Sequence, residues 1–120
     1  MYEMFPTVKV RTIHVKDGNQ AQCIEASWDS GQWVAIICSR GMVGCGAFDV
    51  KLMEEHEQVI AVAHGSIERH LVTGEDLLGA RICGVTKRAR QYGVKEGLTG
   101  REAVELLSGG DRPKNRGGAK

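Results

Sequence analysis

The sequence has no excess of charge of either sign. Its net charge is +1 over 120 residues, so it is not a chain built wholesale for nucleic acid. It has no long apolar run: the uncharged stretch 30–39 is about half the length a membrane-spanning helix requires. No basic region followed by an apolar segment stands near its start, so no secretory signal is read. No C-x-x-C, H-x-x-x-H or H-E-x-x-H spacing occurs, which removes the familiar zinc and redox motifs, and no metal site or cofactor is read from it. Aromatic residues make up only 5% of the chain, leaving few platforms for stacking bases. What remains is one domain long enough to bury roughly 65–70% of its unfolded surface without disulfides.

Cysteine sets the expected compartment. Cys23 and Cys38 lie in strand-like apolar runs, where the side chain acts as a small buried hydrophobe. With no disulfide framework and no leader, the expectation is reduced thiols in the cytoplasm.

The pattern predicts an α/β (α+β) fold: an N-terminal antiparallel β-meander, then short helices and an interior strand packed on the sheet. Residues 7–16 are rich in β-branched side chains, and Asp17-Gly18 offers a tight hairpin turn. Residues 21–28, 32–39 and 42–43 continue the meander. In the first strand Val8, Val10, Thr12 and His14 share one side, and Lys9, Arg11, Ile13 and Val15 the other. A strand apolar on both faces needs cover on both, from helices or from another subunit. Asp49 caps a predicted helix that ends near residue 57. Residues 59–63 are wholly apolar and read as the interior strand. A second helical turn is predicted from residue 66, with Thr73-Gly74 as its end and 75–78 as a loop or short turn. Residues 85–92 read as a helix stopped by Gly93, and Thr99-Gly100-Arg101-Glu102 is a capping box that opens the last helix. The domain is expected over 1–108. Residues 109–120 carry a charge of +3 and no large apolar side chain, and are expected to be a disordered basic tail. Residues 81–101 carry +5 and residues 49–57 carry −3, read as solvated helix faces that attract each other between subunits, or as a phosphate- or nucleic-acid-binding helix.

One turn carries chemistry. Gly44-Cys45-Gly46-Ala47-Phe48-Asp49 takes a strand into a helix, with glycines flanking a thiol. The first reading is a small-molecule or anion site. Backbone amides around Gly46 and Ala47 hold the ligand, Cys45 contacts it, Asp49 caps the helix and Arg101 supplies countercharge. The second reading makes Cys45 a catalytic nucleophile with His64, at the end of the interior strand, as its base. The third is a structural or partner-binding oligomer with no small ligand. His56 and His70 fall on charged segments, and His14 lies mid-strand.

Two segments resemble a known family. Cys45-Gly46-Ala47-Phe48-Asp49-Val50, following an apolar strand, and Gly93 with Gly97-Leu98-Thr99-Gly100-Arg101-Glu102-Ala103 match the pattern of the YunC-like proteins of bacteria and archaea, a domain of unknown function numbered eighteen-oh-five. The resemblance implies a small α/β domain whose N-terminal β-region forms a homotetramer. It implies no particular activity. The glycines Gly74, Gly79 and Gly84 and the basic tail depart from the family's pattern.

Overall fold

Asp17 and Gly18 both take left-handed backbone, with φ of 64° and 77°. That conformation costs Asp and Gly least, and it reverses the chain between β1 (Thr7–His14) and β2 (Gln20–Trp28). The computed structural model describes residues 5–65 and 70–109. A turn at Asp29-Ser30 leads into β3 (Gly31–Ile37), and the turn Ser39-Arg40-Gly41 into β4 (Met42–Gly44). These four strands form the expected antiparallel meander. Helix α1 (Val50–Glu55) then crosses to β5 (Ile60–Ala63), which pairs parallel to β4, and all four residues of β5 are buried. Helix α2 (Gly74–Gly79), strand β6 (Ile82–Val85) and helices α3 (Lys87–Gln91) and α4 (Gly100–Leu107) follow. The sheet has six strands in sequence order, β6 pairing antiparallel to β5. The class is α+β, as the patterning predicts.

Two elements differ from the expectation. Thr73 does not end a helix; its hydroxyl accepts from the Asp76 amide, the Asp76 carboxylate accepts from the Thr73 amide, and this capping box opens α2. Val85, read as the first residue of a helix over 85–92, instead closes strand β6, and Thr86 caps α3 immediately after it. Of the helical turn expected over residues 66–72, residues 66–69 lie outside the described residues and residues 70–72 are not helical; the tail beyond Gly109 also lies outside them.

One face of the sheet packs against α2 and α4, and the other is covered around β4–β6, where all four residues of β5 are buried, Phe48 lies on Gly44 and Val50 on Gly84. Ala21, Cys23, Val34, Ile36 and Val43 form one core cluster with Leu77 and Leu78 of α2 and Ala103, Val104 and Leu107 of α4. Burial of each large side chain there contributes about 1.5–3 kcal/mol. The β3–β4 turn locks α4 in place. The Arg40 amide donates to the Leu107 carbonyl at 2.9 Å, its guanidinium to the Leu106 carbonyl at 3.0 Å, and the Ser39 hydroxyl to Leu107 at 3.4 Å. These donors satisfy carbonyls that a helix end leaves open, and the cation favours that end of the dipole. The same guanidinium lies 4.9 Å from the centroid of the Tyr92 ring.

The acidic and basic runs meet inside the chain. Glu54 on α1 accepts from the Lys87 amide at the start of α3, at 2.8 Å, and Glu57 lies 3.9 Å from Arg88. The two helix faces are therefore paired within one chain, without need of a second subunit.

Candidate functional site

The corner after β4 is shaped by an aromatic ring folded onto a glycine. A Cβ at Gly44 would stand 2.5 Å from Cδ2 of Phe48, so only glycine lets the ring lie there. Phe48 is held by its amide, which donates to the Cys45 carbonyl at 3.1 Å. Its ring meets Trp33 edge-on, with centroids 5.6 Å apart. Asp49 then caps α1, its Oδ1 accepting from the amides of Lys51 at 2.9 Å and Leu52 at 3.2 Å. Those two amides are thus committed to the protein's own carboxylate. The amides of Gly46 and Ala47, one turn earlier, have no hydrogen-bond acceptor among the described residues.

Cys45 is 6% exposed, with its position fixed from both ends. Its amide donates to the Val34 carbonyl at 3.1 Å, and its Sγ accepts from the Val34 amide at 3.5 Å. It still borders a depression of about 290 Å³, lined also by Gln32, Gly46, Ala47, Gly65, His70 and Leu71. His64 is exposed at the end of β5. Its ring rests on Gly46, where a Cβ would come within 2.9 Å of Cδ2 and 3.5 Å of Nε2. His64 lines a second depression of about 430 Å³ with Gly65, Leu71, Glu75, Asp76, Gly79, Ala80 and Arg81. Gly65 and Leu71 border both, so the two hollows adjoin.

The structure therefore gathers Cys45, Gly46, Ala47 and His64 around one corner, with Gly44 beneath and Asp49 holding the helix that follows. Arg101 stands on the exposed first turn of α4 and lines neither hollow. Sequence reasoning missed Gln32, His70 and Leu71 as lining residues. They lie on other segments, and nothing in their spacing announces the meeting. Among the described residues no group of three His, Cys, Asp or Glu is placed to hold a metal ion.

The other thiols differ in surroundings. Burial pushes the Cys38 thiol up to about 11. Burial first, and then the Glu25 carboxylate, raises Cys23. Cys83 is exposed and donates to the Val62 carbonyl at 3.4 Å. All four cysteines are free.

A charged clasp fastens α2 beside the second hollow. Glu25 accepts from the Gly74 amide at 2.7 Å and lies 3.4 Å from Arg11, which in turn meets Glu75 at 2.7 Å. The Glu75 carboxyl sits below its usual range, first because its own backbone amide donates to it and then because of Arg11. A depressed carboxyl stabilises the fold above its unfolded value, about pH 4, and the contribution is lost as pH falls through the lower folded value. The protection factors of the α2 amides, taken against the intrinsic exchange rate at each pH, are expected to fall on acidification below about pH 4, and Glu75→Gln should remove that loss of protection. Equal pH dependence in both proteins would show that the clasp does not hold α2.

A mixed six-stranded sheet with short helices packed on it and a Gly-Cys-Gly corner at the end of β4 defines a small α+β domain. Residues 44–107 match the family described as Domain of unknown function (DUF1805), and the chain belongs to that family. The matched segment begins at the corner and ends with α4. The fold is similar to the crystal structure of a protein of unknown function from Thermoplasma acidophilum, with a TM-score of 0.76 and 18% identity, covering 89% of this chain and 99% of that one. That likeness concerns the fold. No curated protein matches the chain.

Proposed function

We propose that the protein is a cytoplasmic homo-oligomer, assembled through its N-terminal β-region, that binds a small anionic molecule in the hollow beside Cys45. The observation that carries the ligand reading is the pair of amides at Gly46 and Ala47, without an acceptor among the described residues, on the rim of that hollow. Adjacent free N–H groups at a turn favour an anion. His70 on the wall and His64 against Gly46 stand where Arg101 was expected, as hydrogen-bonding groups, and Arg81 lines the adjoining hollow as a fixed cation. Cys45 contributes a polarisable contact from below. Four free thiols agree with a reducing compartment.

The test is a titration of the full chain with phosphate, sulfate and small carboxylates, followed by amide NMR. Shifts are expected at Gly46 and Ala47. Gly46→Ala, which must displace the His64 ring, should weaken binding at least tenfold while the fold persists. A titration that leaves the corner resonances unmoved for every anion would overturn the ligand reading.

The second reading, Cys45 as a nucleophile with His64 as its base, draws on the same His64–Gly46 contact. It requires Cys45 to be alkylated faster than Cys83 at neutral pH, and His64→Ala to abolish the difference. Slower alkylation of Cys45 than of exposed Cys83 would retire it.

A further inference from the structure

Three strands end side by side at the corner. Gly44 pairs with Val62 in the parallel β4–β5 ladder, and Ala63 with Ile82 in the antiparallel β5–β6 ladder. Two steps beyond Gly44 is Gly46, two beyond Val62 is His64, and one before Ile82 is Arg81. The register therefore sets Gly46, His64 and Arg81 in a row across the ends of three neighbouring strands. One end of the row borders the hollow beside Cys45. The other borders the larger hollow, which Arg81 lines with His64, Glu75 and Asp76. Two strand spacings, about 10 Å, part the backbone of Gly46 from that of Arg81. Leu71, 7% exposed, borders both hollows and gives them a shared apolar surface.

The charges of the larger hollow are unequally engaged. The Glu75 carboxylate meets Arg11 at 2.7 Å. The Asp76 carboxylate accepts from the amides of Val72 and Thr73, each at 3.0 Å, and completes the capping box of α2. Arg81 gives one N–H to the Gly97 carbonyl at 2.8 Å and has no carboxylate partner among the described residues. A guanidinium is a planar fork of N–H groups that matches a carboxylate or a phosphoryl group with two parallel bonds. Arg81 is thus the unbalanced charge of this hollow, as the Gly46 and Ala47 amides are the unmatched donors of the other. Resting on the anion-site reading above, we infer that the ligand is a two-headed anion, a short chain with an anionic group at each end: a dicarboxylate or a phosphorylated carboxylic acid. One head takes the Gly46 and Ala47 amides, the other takes the Arg81 guanidinium, and the chain between them passes over Leu71. A ligand with one anionic group leaves Arg81 unanswered. One with an amine at its far end sets a cation beside a cation, where both neighbouring acids are already engaged.

The experiment is calorimetric titration of the full chain at neutral pH with the linear dicarboxylates from succinate to pimelate. Each is set against the monocarboxylate, the ω-phosphono acid and the ω-amino acid built on the same number of methylene groups. The best dianion is expected to bind at least tenfold more tightly than its monocarboxylate, with amide NMR shifts at Gly46 and Ala47 and a shift of the Arg81 Nε–H. Whether the dicarboxylate or the phosphono acid leads identifies the second head. Arg81→Gln should erase the advantage while leaving monocarboxylate affinity and far-UV circular dichroism unchanged. Arg81→Lys, which keeps the cation, should retain part of it. If monocarboxylates shift the corner amides but no dianion gains on its monocarboxylate, the two-headed ligand is wrong while the anion site stands. An ω-amino acid that binds more tightly than every dianion also overturns the inference. These comparisons use the unaltered chain, so they decide even where a variant does not fold. Corner amides that respond to no anion overturn the anion site and the two-headed ligand together.

Discussion

Gly100→Ala is expected to destabilise the protein by about 3 kcal/mol, the upper end of what overpacking costs. A Cβ at Gly100 would run into the Leu77 carbonyl, with the Leu78 Cα 3.1 Å away. Both obstacles are backbone, so no side-chain rotation relieves the clash. The neighbouring bonds make retreat harder. The Gly100 amide donates to the Ala80 carbonyl at 2.8 Å, and Arg81 bridges to Thr99 on the other side. Moving α4 away from α2 breaks these bonds and opens the core around Leu77, Ala103 and Leu107, each 0% exposed. Chemical denaturation measures the effect through a lower midpoint at unchanged slope. Loss of less than about 1 kcal/mol would mean that the two helices adapt to a methyl group, against the rigidity expected of a packed interior. Arg101, beside it, is exposed, and Arg101→Ala should change stability by no more than about 0.5 kcal/mol.

The same residues show what was legible in the sequence. Thr99 and Glu102 stand at capping-box spacing before an apolar face, and the helix begins where that pairing places it. Asp17-Gly18 marked the hairpin because few residues accept two consecutive left-handed conformations. The box at Thr73 escaped because Asp76 stands where Glu is the usual signal, and because a six-residue helix bounded by glycines has no room to display a period. Strand β6 escaped for a related reason: four residues with Gly84 among them give no alternation, and the glycine answers to Val50, whose Cγ2 would lie 3.1 Å from a Cβ there. The cover of β1 was half legible. Its two-sided apolar pattern is real, but only Ile13 joins the core, while Val8 and Val10 stay open.

Of the site, the part carried by strand ends was legible. Gly44 and Val62 are register partners in the parallel β4–β5 pair. Two residues further along each chain are Gly46 and His64, so their contact follows from the register. The sequence places both residues just beyond apolar strands without disclosing that those strands are neighbours. Gln32, His70 and Leu71 reach the hollow through pairings that no local pattern encodes.

Gly44→Ala is expected to disturb that corner more than any neighbouring change, at a cost of about 2 kcal/mol. The added methyl displaces the Phe48 ring, which has Trp33 on its far side. Displacement of the ring would break the edge contact with Trp33, worth about 0.5–1.5 kcal/mol beyond its burial. It would also pull the Phe48 amide from the Cys45 carbonyl, loosening the turn that presents the Gly46 and Ala47 amides. Stability and tryptophan fluorescence should therefore change together, and anion binding should fall with them. Phe48→Ala separates the causes. It removes the ring without crowding Gly44, so the double variant Gly44→Ala/Phe48→Ala should be no less stable than Phe48→Ala alone. If the double variant is less stable by the full Gly44→Ala penalty, the glycine is needed for β4 itself, and the ring does not set the geometry of the corner.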